Sequence, residues 1–249
     1  MNTSIVWQVF WVALATDLAC GLGAIPFAFT KKLSERWQGL AYSVAGGMMV
    51  SASVFSLAEQ GLRRGRAWEI VIGMLFGAAF FWWTSRRLES NTWTIDKLSA
   101  EDSRKAIVLI LAMTVHSIPE GVAIGVGYAT GELKFGVLLA IAIGIHNVPE
   151  GIAVSLPLRA KGVPVWKCAW YAILTSLPQP VFAVPAFLLF WLFKPLMPLG
   201  LGFAGGAMMY IVAAELLPES VSLCSKHDIA WGFILGLVLM LLVTAGLGM

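Results

Sequence analysis

HSIPEGVAIGV at 116–126 returns thirty residues later as HNVPEGIAVSL at 146–156. Each block sets a His and a Glu four residues apart inside a long apolar run: His116 with Glu120, and His146 with Glu150. On an α-helix that spacing puts both side chains on one face. Two such helices facing each other present two imidazoles and two carboxylates. That donor set suits a divalent transition metal such as Zn²⁺, Fe²⁺ or Mn²⁺. A proline stands directly before each Glu, at Pro119 and Pro149. Each removes one backbone donor and clashes one turn back, so the carbonyls of Val115 and Ile145 lose their usual partners. In lipid this is tolerated only where protein, water or an ion satisfies the freed groups.

The surrounding composition fixes the solvent. Of 249 residues, 59% are hydrophobic and only 12% are charged, against roughly 25% charged in soluble domains. Mean hydropathy is +0.81. A polar shell cannot be built from this chain, which excludes a soluble domain, a disordered chain and a nucleic-acid binder. The three cysteines, Cys20, Cys168 and Cys224, are isolated, so they form neither a disulfide framework nor a zinc-finger spacing. The start, MNTSIVWQVF, has no Lys or Arg ahead of its apolar run and reads as a retained helix rather than a signal peptide.

A spanning helix needs about 20 mostly apolar residues. Eight segments qualify, near 5–28, 38–60, 67–86, 105–128, 134–158, 166–192, 199–222 and 228–248, and together they make a single transmembrane domain over 1–249. The fold expected is an all-α integral membrane bundle. With the N-terminus outside, twelve of the 17 basic residues fall in inner loops, including Lys31, Lys32, Arg86, Arg87, Lys97, Arg159 and Lys226. The positive-inside rule then places both termini outside, although Arg63, Arg64 and Arg66 pull the other way. Trp7, Trp37, Trp68, Trp166 and Trp231 stand near segment ends, as interfacial anchors do.

A second, looser echo joins AGGMM at 45–49 to AGGAMM at 204–209. Both echoes connect segments of opposite direction, the pattern of a transporter with inverted repeats and a midplane site. The small residues around Gly46–Gly47 and Gly205–Gly206 also allow close helix contact, within one chain or in a homodimer.

An ionisable group at mid-bilayer costs about 2.5–3.5 kcal/mol on insertion scales. Asp17, Glu215 and the two His/Glu pairs all stand at such depth. Ser117 and Asn147 follow the two histidines; Asn offers an oxygen ligand and Ser a weaker one, or both brace helices. Met49 carries a thioether that can ligate soft metals, though packing explains it as well. Gln179, between two prolines in TSLPQP, is either an oxygen ligand or a hydrogen-bond brace.

The paired HSIPEG and HNVPEG blocks, on segments four and five of eight, resemble the ZIP (ZRT/IRT-like) metal transporters. AGGMMVSASVFSL and GAMMYIVAAELLPE are similar to the second and seventh helices of the prokaryotic branch. The resemblance implies a 3+2+3 inverted-repeat bundle in a bacterial inner membrane, carrying a divalent metal into the cytoplasm. It implies a first site of Met49, His116, Glu120, His146 and Glu150. A second site would share Glu120 and Glu150 and add Asn147. Ser117 and Gln179 depart from that pattern, where the family commonly has Asn and often Glu, so a weak or absent second ion is expected. Glu215 matches an acidic position near the inner exit, and Asp17 is a candidate pathway residue. Helices one, four, five and six are expected to move against two, three, seven and eight. The metal is substrate, not a prosthetic group; Zn²⁺ is favoured, with Fe²⁺, Mn²⁺, Cd²⁺ and Co²⁺ open.

Two other classes fit the donors less well. A membrane-embedded zinc hydrolase needs an open metal position and a general base, and the HExxH signature is absent. A bis-His haem protein would use His116 and His146 as axial ligands, and a Glu one turn from each counts against it.

Overall fold

A computed structural model describes residues 3–29, 34–88, 99–131 and 133–246. Lys31, Lys32 and Lys97, three of the inner-loop cations, lie outside the described residues. Eight helices are long and apolar enough to cross a membrane: α1 Thr3–Ala28, α2 Glu35–Arg64, α3 Ala67–Arg87, α4 Leu109–Ala129, α5 Phe135–Ala160, α6 Val165–Leu188, α7 Phe190–Leu223 and α8 Lys226–Gly246. No strand occurs among the described residues. Without water to satisfy peptide groups, apolar runs of this length close their hydrogen bonds internally. The molecule is an all-α integral membrane protein.

Glycine decides which helices meet. A β-carbon on Gly151 of α5 would collide with the Cys20 carbonyl of α1, and one on Gly125 of α4 with the Ala183 carbonyl of α6. The same holds for Gly47 of α2 against Phe233 of α8, and for Gly206 of α7 against Met74 of α3. Residue numbers rise together along each pair, so all four pairs run parallel. Small residues let backbones touch, which is how helices associate where lipid and Leu are equally apolar.

The pairs assemble into two groups. In one, α1, α4, α5 and α6 pack on one another; in the other, α2 and α7 join, with α8 and α3 outside them. The groups meet mainly where α7 touches α4 and α2 touches α5. Gly46 lies against Val212 and Gly205 against Ser53, so the small-residue faces of the second echo are used within the chain. α2 and α7 also widen into π-helical turns, Ala52–Ala58 and Val212–Leu216, just past that echo.

Helix ends follow local chemistry. Ser225 and Asp228 bond reciprocally at the start of α8, where Arg36 reaches Asp228 at 2.9 Å and ties in the start of α2. α5 ends in a left-handed Gly162 (φ 87°), with Gly162 N–H bonded to Arg159 and Val163 N–H to Leu158. The outer faces of α3 and α8, with Leu75, Phe76, Leu235 and Leu242 exposed, form an apolar surface suited to lipid.

Candidate metal centre

Proline shapes the helices that carry the centre. Pro119 and Pro149 sit inside continuous helices, Ala100–Ala129 and Leu133–Ala160. α6 is interrupted instead: one piece ends at Ser176, the next begins at Pro178, and Leu177 lies between. Pro178 and Pro180 have no N–H to donate back, so the first piece cannot continue through them unchanged. The interruption leaves Gln179 in the first turn of the second piece, fully buried.

Three ligand atoms converge from α4 and α5. Glu120, His146 and Glu150 each offer one atom within 4.8 Å of the others. His146 Nε2 lies 2.7 Å from Glu150 Oε1 and 3.4 Å from Glu120 Oε1. All three side chains are at most 1% exposed. With no cation, a proton on Nε2 would hold these groups together; a divalent ion would replace it and balance two carboxylates. Imidazole with carboxylate oxygens is a zinc-type donor set.

The other face of Glu120 is braced. Gln179 Nε2 donates to Glu120 Oε2 at 2.8 Å and to Asn147 Oδ1 at 3.2 Å. Asn147 Nδ2 donates to the Thr16 carbonyl at 2.6 Å and to Gln179 Oε1 at 3.0 Å. Thr16 Oγ1 also donates to Gln179 Oε1, at 2.8 Å. Gln179 and Asn147 are therefore joined to the cluster through Glu120, and α1 and α6 are joined to it through them. Thr16 is the residue the sequence reading passed over. Its signal was present: Thr16–Asp17 is a polar pair in the middle of an apolar helix.

The remaining sequence candidates fall in three places. His116 is one turn before Glu120 in α4, but its side chain lies outside the described residues. Ser117 Oγ donates to the Met113 carbonyl at 2.8 Å, and Met49 is fully buried on α2, the helix that packs on α5. Glu215 is half-buried and lines a cavity of about 380 Å³ with Glu35, Glu219 and Lys161. That cavity reaches Pro157 and Ala160, about 10 Å along α5 from Glu150 at 1.5 Å per residue.

The profile of the ZIP zinc transporter family matches residues 89–244, which include both HxxPEG blocks. The chain belongs to the ZIP family. It is 34% identical over 242 residues to the zinc transporter GufA of Myxococcus xanthus, covering 91% of this chain and 95% of that protein. It is 39% identical over 231 residues to a putative zinc transporter of Arabidopsis thaliana, covering 92% of this chain but 37% of that protein. Similarity to the zinc transporter ZIPB of Bordetella bronchiseptica is 32% over 248 residues, covering 92% and 78%. The chain thus spans nearly all of the Myxococcus transporter and well under half of the plant one. ZIP is a transporter family, not an enzyme family, which removes the hydrolase reading.

Proposed function

We propose that this ZIP protein carries a divalent transition metal, zinc first, across the membrane and into the cytoplasm. The observation that supports this best is the convergence of Glu120, His146 and Glu150 within 4.8 Å, wholly buried inside an apolar bundle. A hydrated ion would exchange water for these three groups, for His116 one turn before Glu120, and for Met49 from the other helix group. Ser117, Asn147 and Gln179 border this site, and Asn147 and Gln179 hold Glu120 in place rather than binding the ion. Two carboxylates cancel the ion's charge, so the loaded site is neutral in a low-dielectric interior. Release runs toward the cavity at Glu215, whose acidic lining gives the ion a polar exit. Protons compete with the metal for the same lone pairs and assist release.

The excess of basic residues in alternate loops favours both termini outside, and the match to nearly the whole Myxococcus transporter supports a bacterial inner membrane. Equivalent packing of α1/α5 with α6/α4, and of α2/α8 with α7/α3, favours a 3+2+3 inverted repeat. Interfaces between the two groups are fewer than within them, which favours movement of α1, α4, α5 and α6 as a body.

The test is zinc uptake into liposomes holding an impermeant zinc dye. Saturable uptake by the intact protein, lost in Glu150→Ala, is the expected result. Uptake no faster than in empty liposomes, with Mn²⁺ and Fe²⁺ equally inert, would refute transport.

A further inference from the structure

Asp17 is an ionisable side chain buried in the bundle that the metal cluster does not use. It is 1% exposed, and neither of its carboxylate oxygens has a hydrogen-bond donor among the described residues. Its level is set by its neighbours on α1. The Thr16 carbonyl accepts from Asn147, and the Cys20 carbonyl abuts Gly151. Asp17, one residue past Thr16 and three before Cys20, therefore stands level with Val148, about 3 Å along the axis from Glu150. On α6, Thr16 meets Gln179 and Cys20 lies 3.8 Å from Thr175, so the matching level is the interruption at Ser176–Leu177–Pro178.

The helices packed on α1 carry no Lys or Arg at this depth. There is no Lys or Arg in α1, nor between Ala106 and Ala129, Phe135 and Leu158, or Cys168 and Leu188 of the helices packed on it. The titratable groups on those helices are His116 and Glu120 of α4, His146 and Glu150 of α5, and Tyr128, Cys168 and Tyr171. On α1 itself there is Cys20, which lies within electrostatic reach of both Asp17 and Glu150. The interruption of α6 supplies acceptors rather than donors, because Pro178 and Pro180 have no N–H. An ionised carboxylate in such a place has neither counter-charge nor donor and is strongly disfavoured. A neutral carboxylic acid fits it, since it carries no charge to balance.

We propose that Asp17 is a proton-binding site of the four-helix group, a neutral acid while the metal centre is empty, and that it gives up that proton when a divalent ion arrives at Glu150. Loading replaces a centre in which two carboxylates outweigh one proton by a neutral one, and removing that nearby negative charge favours the ionised form through a medium that screens poorly. The first half of this inference stands on Asp17 alone; the second rests on the proposed metal site.

Infrared spectroscopy of the protein in bilayers, with carboxyl-labelled aspartate, tests both halves. The chain has four aspartates, Asp17, Asp96, Asp102 and Asp228; Asp17 stands in the middle of an apolar helix, whereas Asp228 is at a helix start paired with Arg36. At neutral pH the labelled protein is expected to show one acid C=O band, which Asp17→Asn removes. Adding zinc is expected to diminish the band, and Asp17→Asn to release about one proton fewer per ion bound. Wild-type protein with no labelled acid band, or a band that survives in Asp17→Asn, would overturn the assignment. A band indifferent to bound zinc would overturn the coupling. The labelled wild type needs no variant to fold. If zinc failed to bind at all, the transport reading would fall while the band still decided the protonation of Asp17.

Discussion

The two helix groups share one construction and differ in what they bury. In both, parallel helices meet through glycines whose β-carbon would collide with a partner backbone. In the α1/α4/α5/α6 group the buried residues include Asp17, Glu120, His146 and Glu150. Among the described residues of the α2/α3/α7/α8 group, the buried polar side chains are neutral: Ser43, Ser51, Ser53, Ser56, Gln60, Ser220 and Thr244. Backbone approach therefore builds both halves, and ionisable groups distinguish one. A hydroxyl in lipid satisfies itself on its own helix, as Ser53 does on the Met49 carbonyl at 2.8 Å. A carboxylate cannot, so it needs partners from other helices or an ion.

Four substitutions sharpen that contrast, in order of decreasing effect. Glu150→Ala removes a ligand of the charged group. We expect zinc uptake to fall by more than about 100-fold, beyond the range of mutations to groups that only support a ligand, with helix content by circular dichroism unchanged. Gly206→Val strikes the neutral group, where the new side chain would meet the Met74 backbone. Thermal unfolding in detergent should show a loss of about 3 kcal/mol, and the fraction that stays folded should bind zinc normally. A weakened zinc affinity in that fraction would break the division of labour between the groups.

Gln179→Leu takes both donors away from Glu120 and Asn147. Zinc affinity by calorimetry should weaken by about 10- to 100-fold, the usual scale for residues that orient a ligand. Unchanged affinity would show that Glu120 is held by α4 alone. Thr16→Val deletes one hydroxyl contact to Gln179 while keeping its shape and its carbonyl. A stability loss of about 1 kcal/mol is expected, with zinc affinity shifted less than in Gln179→Leu.

Much of this protein was legible in its residues. The HxxPEG spacing put Glu150 beside His146 because a period of 3.6 residues leaves little choice of face for residues four apart, while the packing of α4 on α5 brought Glu120 to them. Eight apolar runs gave eight helices because a bilayer admits no other way to satisfy a peptide group. The roles of Asn147 and Gln179 were less legible. Each amide can be ligand or brace, and only its neighbours choose between them. Thr16 was legible as a polar residue at mid-helix but not in its role, which is played by a carbonyl and a hydroxyl facing two other helices.

Local composition and helical period set the solvent, the helices, and the depth at which the charges stand. The tertiary structure decided which helices pair, and thereby which polar groups meet. Thr16, Asn147 and Gln179 are separated by 131 and 32 residues along the chain and by one hydrogen bond in space. Such contacts depend on how glycine faces dock, and docking is a property of helix pairs rather than of any one segment.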